Sequence, residues 1–283
     1  MSSFTARATG APGKGSHRRT TKTRTKTKTK TRGLRHAQGT KRHRADTRIV
    51  SVAVHDHGNE PYPHCMLLHS DGTVSGIGNN RHGQLGLGDT RNRKAFTTLS
   101  SVSNVTAIAS GEAHTVFLHR DGTVSTVGSN EDAQLGRKTT EGDRPGVPRK
   151  PQLHARVTAI ACGFSHTVLL HVDGRVSMSG WNRMGQLGQS STRPSEPAFQ
   201  VIPRLQNITA IASAANTVLA LHRNGTVSAW GEDGAGMGLG RCTTTKNLGI
   251  KCEHVDSPHK IRGLKNVVAL GATGYHGLFL HKD

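Results

Sequence analysis

One eight-residue string is written four times in this chain: at Leu68 to Ser75 (Leu-His-Ser-Asp-Gly-Thr-Val-Ser), Leu118 to Ser125, Leu170 to Ser177 and Leu221 to Ser228. A fifth copy begins at Leu280-His281-Lys282-Asp283. Measured at the Asp or Asn, successive copies lie 50, 52, 51 and 59 residues apart. Repetition at such a period confines the chain to an array of one supersecondary unit, in which each unit buries its faces against its neighbours.

Two further pieces travel with the string. Upstream, Ala107 to His119, Ala159 to His171, Ala210 to His222 and Ala269 to His281 each read as a run of small apolar residues, a break, and a short apolar strand. Downstream comes a Gly motif, as in Gly83-Gln84-Leu85-Gly86 and Gly185-Gln186-Leu187-Gly188, and Pro-containing links such as Pro148, Pro151, Pro194, Pro197 and Pro258 close the units. Asp-Gly or Asn-Gly between apolar runs predicts a β-hairpin whose turn needs positive φ at its central residues. Asp71, Gly72, Asp121, Gly122, Asp173, Gly174, Asn224 and Gly225 are therefore read as turn residues. Continuously apolar stretches such as Val116-Phe117-Leu118 suit strands covered on both faces, and the Ala-rich strands before them suit a crowded axis. Units of about 50 residues with short antiparallel strands and a recurring Gly motif predict an all-β fold, a β-propeller of four-stranded blades.

Charge divides the chain in two. Residues 1–50 carry 15 Lys or Arg against one acid, Asp46, whereas the rest carries 23 against 17. Like charge at that density cannot bury apolar surface, so residues 1–48 are expected to form a disordered basic arm and 49–283 the repeat domain. From Thr21 to Arg32 a Thr alternates with a cation almost without exception, which on an extended chain places positive charges about 6.6 Å apart along one edge. That row suits phosphates, and the absence of aromatic residues from 10 to 50 points to backbone rather than base. The candidate nucleic-acid contacts are Arg18, Arg19, Lys22, Arg24, Lys26, Lys28, Lys30, Arg32, Lys41, Arg42 and Arg44. A nuclear import signal at Lys41-Arg42-His43-Arg44, an organelle-targeting segment or a plain linker are the alternatives for the arm.

The ordered set of apolar-small strand, Gly, His, apolar strand, Asp-Gly hairpin, Trp-Gly-x-Asn and Gly-Gln-Leu-Gly resembles the regulator of chromosome condensation repeat. The resemblance covers about residues 49–283, with repeats near 49–100, 101–152, 153–203, 204–262 and a partial 263–283. It is fullest in the third, with Gly163, His166, Asp173-Gly174 and Gly185-Gln186-Leu187-Gly188. Departures are Ala133 for the first Gly of the motif in repeat two, and Ala214 for Gly and Thr217 for His in repeat four. Repeat four also shortens the motif to Gly236-Met237-Gly238-Leu239-Gly240. The resemblance implies a seven-bladed ring, of which this chain supplies four repeats and part of a fifth. A fragment, a smaller closed ring, or a partial propeller completed by another copy would each meet that arithmetic.

Catalytic and cofactor patterns are weak. Gly78 and Gly83 have the outer spacing of a phosphate loop, but Gln84-Leu85 follow where Lys and Ser or Thr are required. Cys242, Cys252 and His254 lack the tight pairing and fourth ligand of a zinc site. His69, His119, His171, His222 and His281 occupy one repeat position, about a blade width apart, with no nucleophile or carboxylate expected to recur beside them. If they share one face, protonation near pH 6 to 6.5 adds up to five charges there. No metal, cofactor or covalent chemistry is expected. Neither a membrane-spanning run nor a secretory signal is present, and four scattered Cys fit a reducing compartment, so a nuclear or cytoplasmic place is expected. The resemblance implies a protein partner on a propeller face. The first reading is a non-enzymatic interaction module with a nucleic-acid- or chromatin-binding arm. The second is guanine nucleotide exchange on a Ran-like small GTPase.

Overall fold

A computed structural model describes residues 47–55, 63–139, 144–190, 194–232, 254–273 and 276–283, with the backbone of 242–245 and 249–252. All regular structure among them is β, arranged as consecutive antiparallel meanders. The first blade is β1 (Ile49–His55), β2 (His64–His69), β3 (Val74–Gly78) and β4 (Arg93–Thr98). The second has β5 (Val105–Ser110), β6 (His114–His119) and β7 (Val124–Gly128). The third runs β8 (Val157–Cys162), β9 (His166–His171), β10 (Val176–Trp181) and β11 (Ser195–Val201).

In the fourth, β12 (Ile208–Ala214), β13 (Thr217–His222) and β14 (Val227–Gly231) pair with β17 (Val255–Lys260), and the hairpin β15 (Cys242–Thr245) and β16 (Gly249–Cys252) intervenes. The last sheet is β18 (Val267–Thr273) with β19 (His276–His281). The blade architecture is as the repeats predict, with one difference. In the second blade the outer strand shrinks to a single bridge, Thr126 with Arg149. Pro148 and Pro151 flank that residue and have no N–H to give a ladder.

β1, β5, β8, β12 and β18 stand side by side in sequence order as the inner strands. Their small residues border a cavity of about 470 Å³, among them Ala53, Ala109, Ala161, Ala212 and Ala272. The strands next to them, β6, β9 and β13, are buried along nearly their whole length, because the preceding blade covers one face and the following blade the other. Each core cluster therefore joins two blades: Met66, Leu68 and Leu85 of the first pack with Val105, Ile108 and Phe117 of the second.

The hairpin turns differ from the expected form in one respect. Only the Gly is left-handed, with φ of 80°, 78°, 76° and 78° at Gly72, Gly122, Gly174 and Gly225. The residue before it instead folds its side chain back. Asp71 Oδ1 accepts from Thr73 N at 2.9 Å and Thr73 Oγ1 at 2.6 Å, and Asp121 repeats this with Thr123. Asp173 accepts from the backbone N and the guanidinium of Arg175, and Asn224 Oδ1 from Thr226. An Asx turn holds the corner without asking Asp for positive φ. The Gly carbonyl then accepts from the next blade's inner strand: Val105 N to Gly72 O, Val157 N to Gly122 O, Ile208 N to Gly174 O and Val267 N to Gly225 O. Replacing Gly174 by Val forces a β-branched residue to positive φ at such a junction and should cost roughly 1–3 kcal/mol. Urea unfolding checks this; an unchanged midpoint removes the conformational argument.

Candidate functional site

Two histidine series recur five residues apart, and the first of them, at the strand starts, stitches the blades. His64 Nε2 lies 3.1 Å from Thr115 Oγ1 of the second blade, and His114 Nε2 lies 3.0 Å from Thr167 Oγ1 of the third. His166 Nε2 lies 2.8 Å from Ser213 Oγ of the fourth. Thr115 donates its hydroxyl hydrogen to Gln84 O at 2.8 Å, Thr167 to Gln134 O at 2.7 Å and Ser213 to Thr217 O at 3.1 Å. A hydroxyl that has given its hydrogen to a carbonyl can only accept from the imidazole, so each Nε2 carries the proton. Nδ1 of all three is then a bare acceptor, buried without a partner. Burial, reinforced by the neighbouring His55, holds the three rings neutral down to a pKa of about 3.

The Gly upstream makes room for that ring. A Cβ at Gly163 would stand 2.0 Å from His166 Cε1 and 2.4 Å from Ala215 O, and one at Gly111 would stand 2.1 Å from His114 Cε1. In the fourth blade Thr217-Val218 stand where the earlier blades have His-Thr, and Trp230 replaces the Thr hydroxyl as donor to the Gln carbonyl, its Nε1 giving to Gln186 O at 2.9 Å. The Gln-Leu pair of the Gly motif is thus an acceptor and a plug: Leu85, Leu135 and Leu187 are fully buried, while Asn80, Asn130 and Asn182 accept from their backbone N–H groups. A Cβ at Gly83 would meet Gly146 N at 2.2 Å, so the phosphate-loop spacing belongs to a close approach between links. The repeat-four variant at 236–240 lies outside the described residues.

The strand-end series is the mirror image. His119 and His171 hold Nδ1 against the carbonyls of Ser103 and Ala155, at 2.9 and 3.1 Å. Their Nε2 atoms therefore accept, from Ser125 Oγ at 2.8 Å and Ser177 Oγ at 2.6 Å. His69 with Ser75 and His222 with Ser228 repeat the pair at 2.9 and 2.7 Å. A hydroxyl does recur beside each of these four imidazoles, contrary to the expectation from sequence. It stands six residues on, across the hairpin, where a repeat alignment places it but does not aim it. The order carbonyl, imidazole, serine is that of an activated nucleophile. Yet Ser75, Ser125, Ser177 and Ser228 are buried, so substrate has no approach and the pairs brace the hairpins. Nor do these histidines form an even, exposed set: burial lowers the pKa of His171 and His222.

Asp71, Asp121 and Asp173 sit on exposed corners with carboxyls held below the usual range by the hydrogen bonds of their own turns. Cys242 faces Cys252 across the β15–β16 ladder. Cys162, buried beside the channel, has its thiol pKa pushed up by desolvation. Among the described residues no group of three His, Cys, Asp or Glu is placed to hold a metal ion, and no helix is long and apolar enough to cross a membrane. Arg18, Arg19, Lys22, Arg24, Lys26, Lys28, Lys30, Arg32, Lys41, Arg42 and Arg44 lie outside the described residues.

Known proteins share this arrangement. Residues 71–118 and 121–170 match the Regulator of chromosome condensation (RCC1) repeat, and a second model of that repeat matches 105–134 and 157–186. The probable E3 ubiquitin-protein ligase HERC6 of Homo sapiens is 32% identical over 199 residues, 66% of this chain and 18% of the relative. The secretion-regulating guanine nucleotide exchange factor of Bos taurus is 29% identical over 221 residues, 75% of this chain and 46% of its own. The chain thus spans less than half the length of these two curated relatives. Yeast RCC1 (Prp20) bound to Kap60 superposes with a TM-score of 0.67 at 22% identity, covering 82% of this chain and 53% of that one. Prp20p of Saccharomyces cerevisiae, solved with a description of its binding to Gsp1p and histones, gives 0.64 at 21%, covering 81% and 55%. The structural likenesses bear on the fold, and the repeats with their order of His, Gly and Gln bear on descent: the chain belongs to the regulator of chromosome condensation repeat family.

Proposed function

We propose that the chain is a non-enzymatic interaction module that offers a propeller face to a protein partner and holds nucleic acid or chromatin through its basic arm. The observation that carries this reading is the employment of the recurring polar side chains. His, Ser, Thr and Gln of successive blades spend their hydrogen bonds on one another, which leaves exposed turns and loops to do the binding. The arm supports the second half through charge alone: residues 1–50 hold 15 cations and one acid. Binding by 6–10 phosphate contacts should weaken by about 10³–10⁵ between roughly 50 and 200 mM salt, whatever the sequence of the duplex. Removing residues 1–48 should abolish it and leave the melting temperature of the repeat domain unchanged, as read by fluorescence anisotropy and circular dichroism. Retained DNA binding would place the contact on the blades and remove the arm from the proposal. A nuclear location accords with this role.

A second reading is exchange of guanine nucleotide on a Ran-like small GTPase, favoured by the likeness to the secretion-regulating guanine nucleotide exchange factor of Bos taurus and to Prp20p, which is described as binding Gsp1p and histones. Exchange needs no bond-making residue, since the factor only has to bind the nucleotide-free GTPase better than the loaded one. It would reside in the blades and survive loss of the arm, so the same deletion separates the two activities.

A further inference from the structure

The fourth blade carries its excess length as a hairpin bracketed by two cysteines. Between β14 and β17 the chain spans 23 residues, 232–254, where the corresponding link takes 14 residues (79–92) in the first blade and 13 (182–194) in the third. Within this longer link β15 and β16 form a two-stranded sheet of their own. Their register sets Cys242 opposite Cys252, Thr243 opposite Lys251, Thr244 opposite Ile250 and Thr245 opposite Gly249. Ile250 is the one large apolar residue among the eight, and an isolated two-stranded hairpin is marginally stable at best in water. Directly opposite residues of an antiparallel pair stand about 4.5 or 5.5 Å apart at Cα, according to their hydrogen bonding, and both values fall within the roughly 4.4–6.8 Å that a disulfide spans.

We propose that Cys242 and Cys252 are a reversible disulfide site, which closes the open end of this hairpin in response to a disulfide oxidant such as oxidised glutathione. The proposal does not depend on the functional reading above. Arg241, Lys246 and Lys251 are the only charged residues from 241 to 252, and nearby cations favour the attacking thiolate. The other two cysteines are worse placed: Cys162 is buried on β8 and Cys65 half-buried on β2, and burial pushes both thiols up. One thiolate of the pair attacks a sulfur of oxidised glutathione, breaks its S–S bond and releases one glutathione thiolate. The opposed thiolate then attacks the protein sulfur of that mixed disulfide and releases the second. Two electrons pass from the cysteine pair to the oxidant, and the two thiol protons end on the two glutathione molecules. In a reducing compartment such a bond is transient and marks a rise in oxidant.

The test is incubation of the full chain with oxidised glutathione, followed by peptide mapping in the mass spectrometer. The wild type should lose about 2 Da and yield a peptide joining Cys242 to Cys252, with no glutathione left on either, because the second step is intramolecular. Dithiothreitol should reverse it. Cys242→Ser should instead keep one glutathione on Cys252, and Cys252→Ser one on Cys242. Oxidation should slow trypsin cleavage after Lys251 by roughly tenfold or more in the wild type, since the crosslink removes chain entropy from the opened hairpin. Neither Ser variant should show that protection, and both should melt like the wild type, because the two residues lie outside the blade sheets. Stable glutathione on both cysteines of the wild type, a link from either to Cys65 or Cys162, or cleavage unchanged by oxidation would each overturn the proposal.

Discussion

Moving from about pH 7.5 to about pH 5 should destabilise the folded chain by up to about 6 kcal/mol through three histidines, each contributing about 1.4 kcal/mol per pH unit below its unfolded value. His64, His114 and His166 have folded pKa values of about 3, against 6.5 for the free side chain. A depressed folded pKa means that the unfolded chain binds more protons as the pH falls. The stability these rings contribute is fully present above about pH 6.5 and is lost progressively down toward pH 3. The structural cause is the bare Nδ1 of each ring, buried with no acceptor for a second proton. A loss of that size approaches the whole stability of an ordinary domain, about 5–15 kcal/mol. Urea titrations at the two pH values measure it. His114→Gln keeps an N–H donor toward Thr167 without a titrating ring, and should remove about a third of the pH dependence. Equal midpoints at both pH values would show that the rings are not buried as neutral tautomers.

Trp230→Ala should cost at least about 3–5 kcal/mol, the usual penalty for deleting a buried indole. Trp230 is fully buried in the cluster that joins the third and fourth blades, with Val168, Leu187, Ile202 and Val218 around it. Its Nε1 gives Gln186 O the hydrogen bond that Thr115 and Thr167 give Gln84 O and Gln134 O at the preceding interfaces, so truncation also strands Gln186 O, at about 1–3 kcal/mol. Gly188 lies against the ring, where a Cβ would be 2.7 Å from Nε1, and so cannot move in to fill the gap without rebuilding its turn. Trp230→Phe retains most of the packing and loses the donor, and should fall between wild type and Ala in urea midpoint. If Phe and wild type coincide, the hydrogen bond contributes nothing and Trp230 acts through packing alone.

Both effects concentrate at the interfaces between blades, which is where a repeat protein of this kind keeps its cooperativity. Hydrogen bonds from turn to inner strand, clamps at the strand starts and apolar clusters all join a blade to the next. A partner that grips two blades at once would stabilise these same contacts.

Periodicity by itself determined the unit, its strands and its corners. The 50–52-residue spacing, the Asp-Gly pairs, the Ala-rich inner strand and the fully apolar strand beside it are local patterns, and local backbone preference is enough to set them. The charge of residues 1–50 was equally legible, because charge density needs no fold to be read. Only the tertiary structure decided which histidines matter and why. The clamps join residues 47 to 53 positions apart, His64 with Thr115, His114 with Thr167 and His166 with Ser213. Nothing in a repeat alignment says whether a side chain turns toward its own blade or the next. Recurrence singles out the five strand-end histidines, whereas the strand-start ones stand out only through the family pattern. Blade packing reverses that weight by burying Nδ1 of His64, His114 and His166 without a partner.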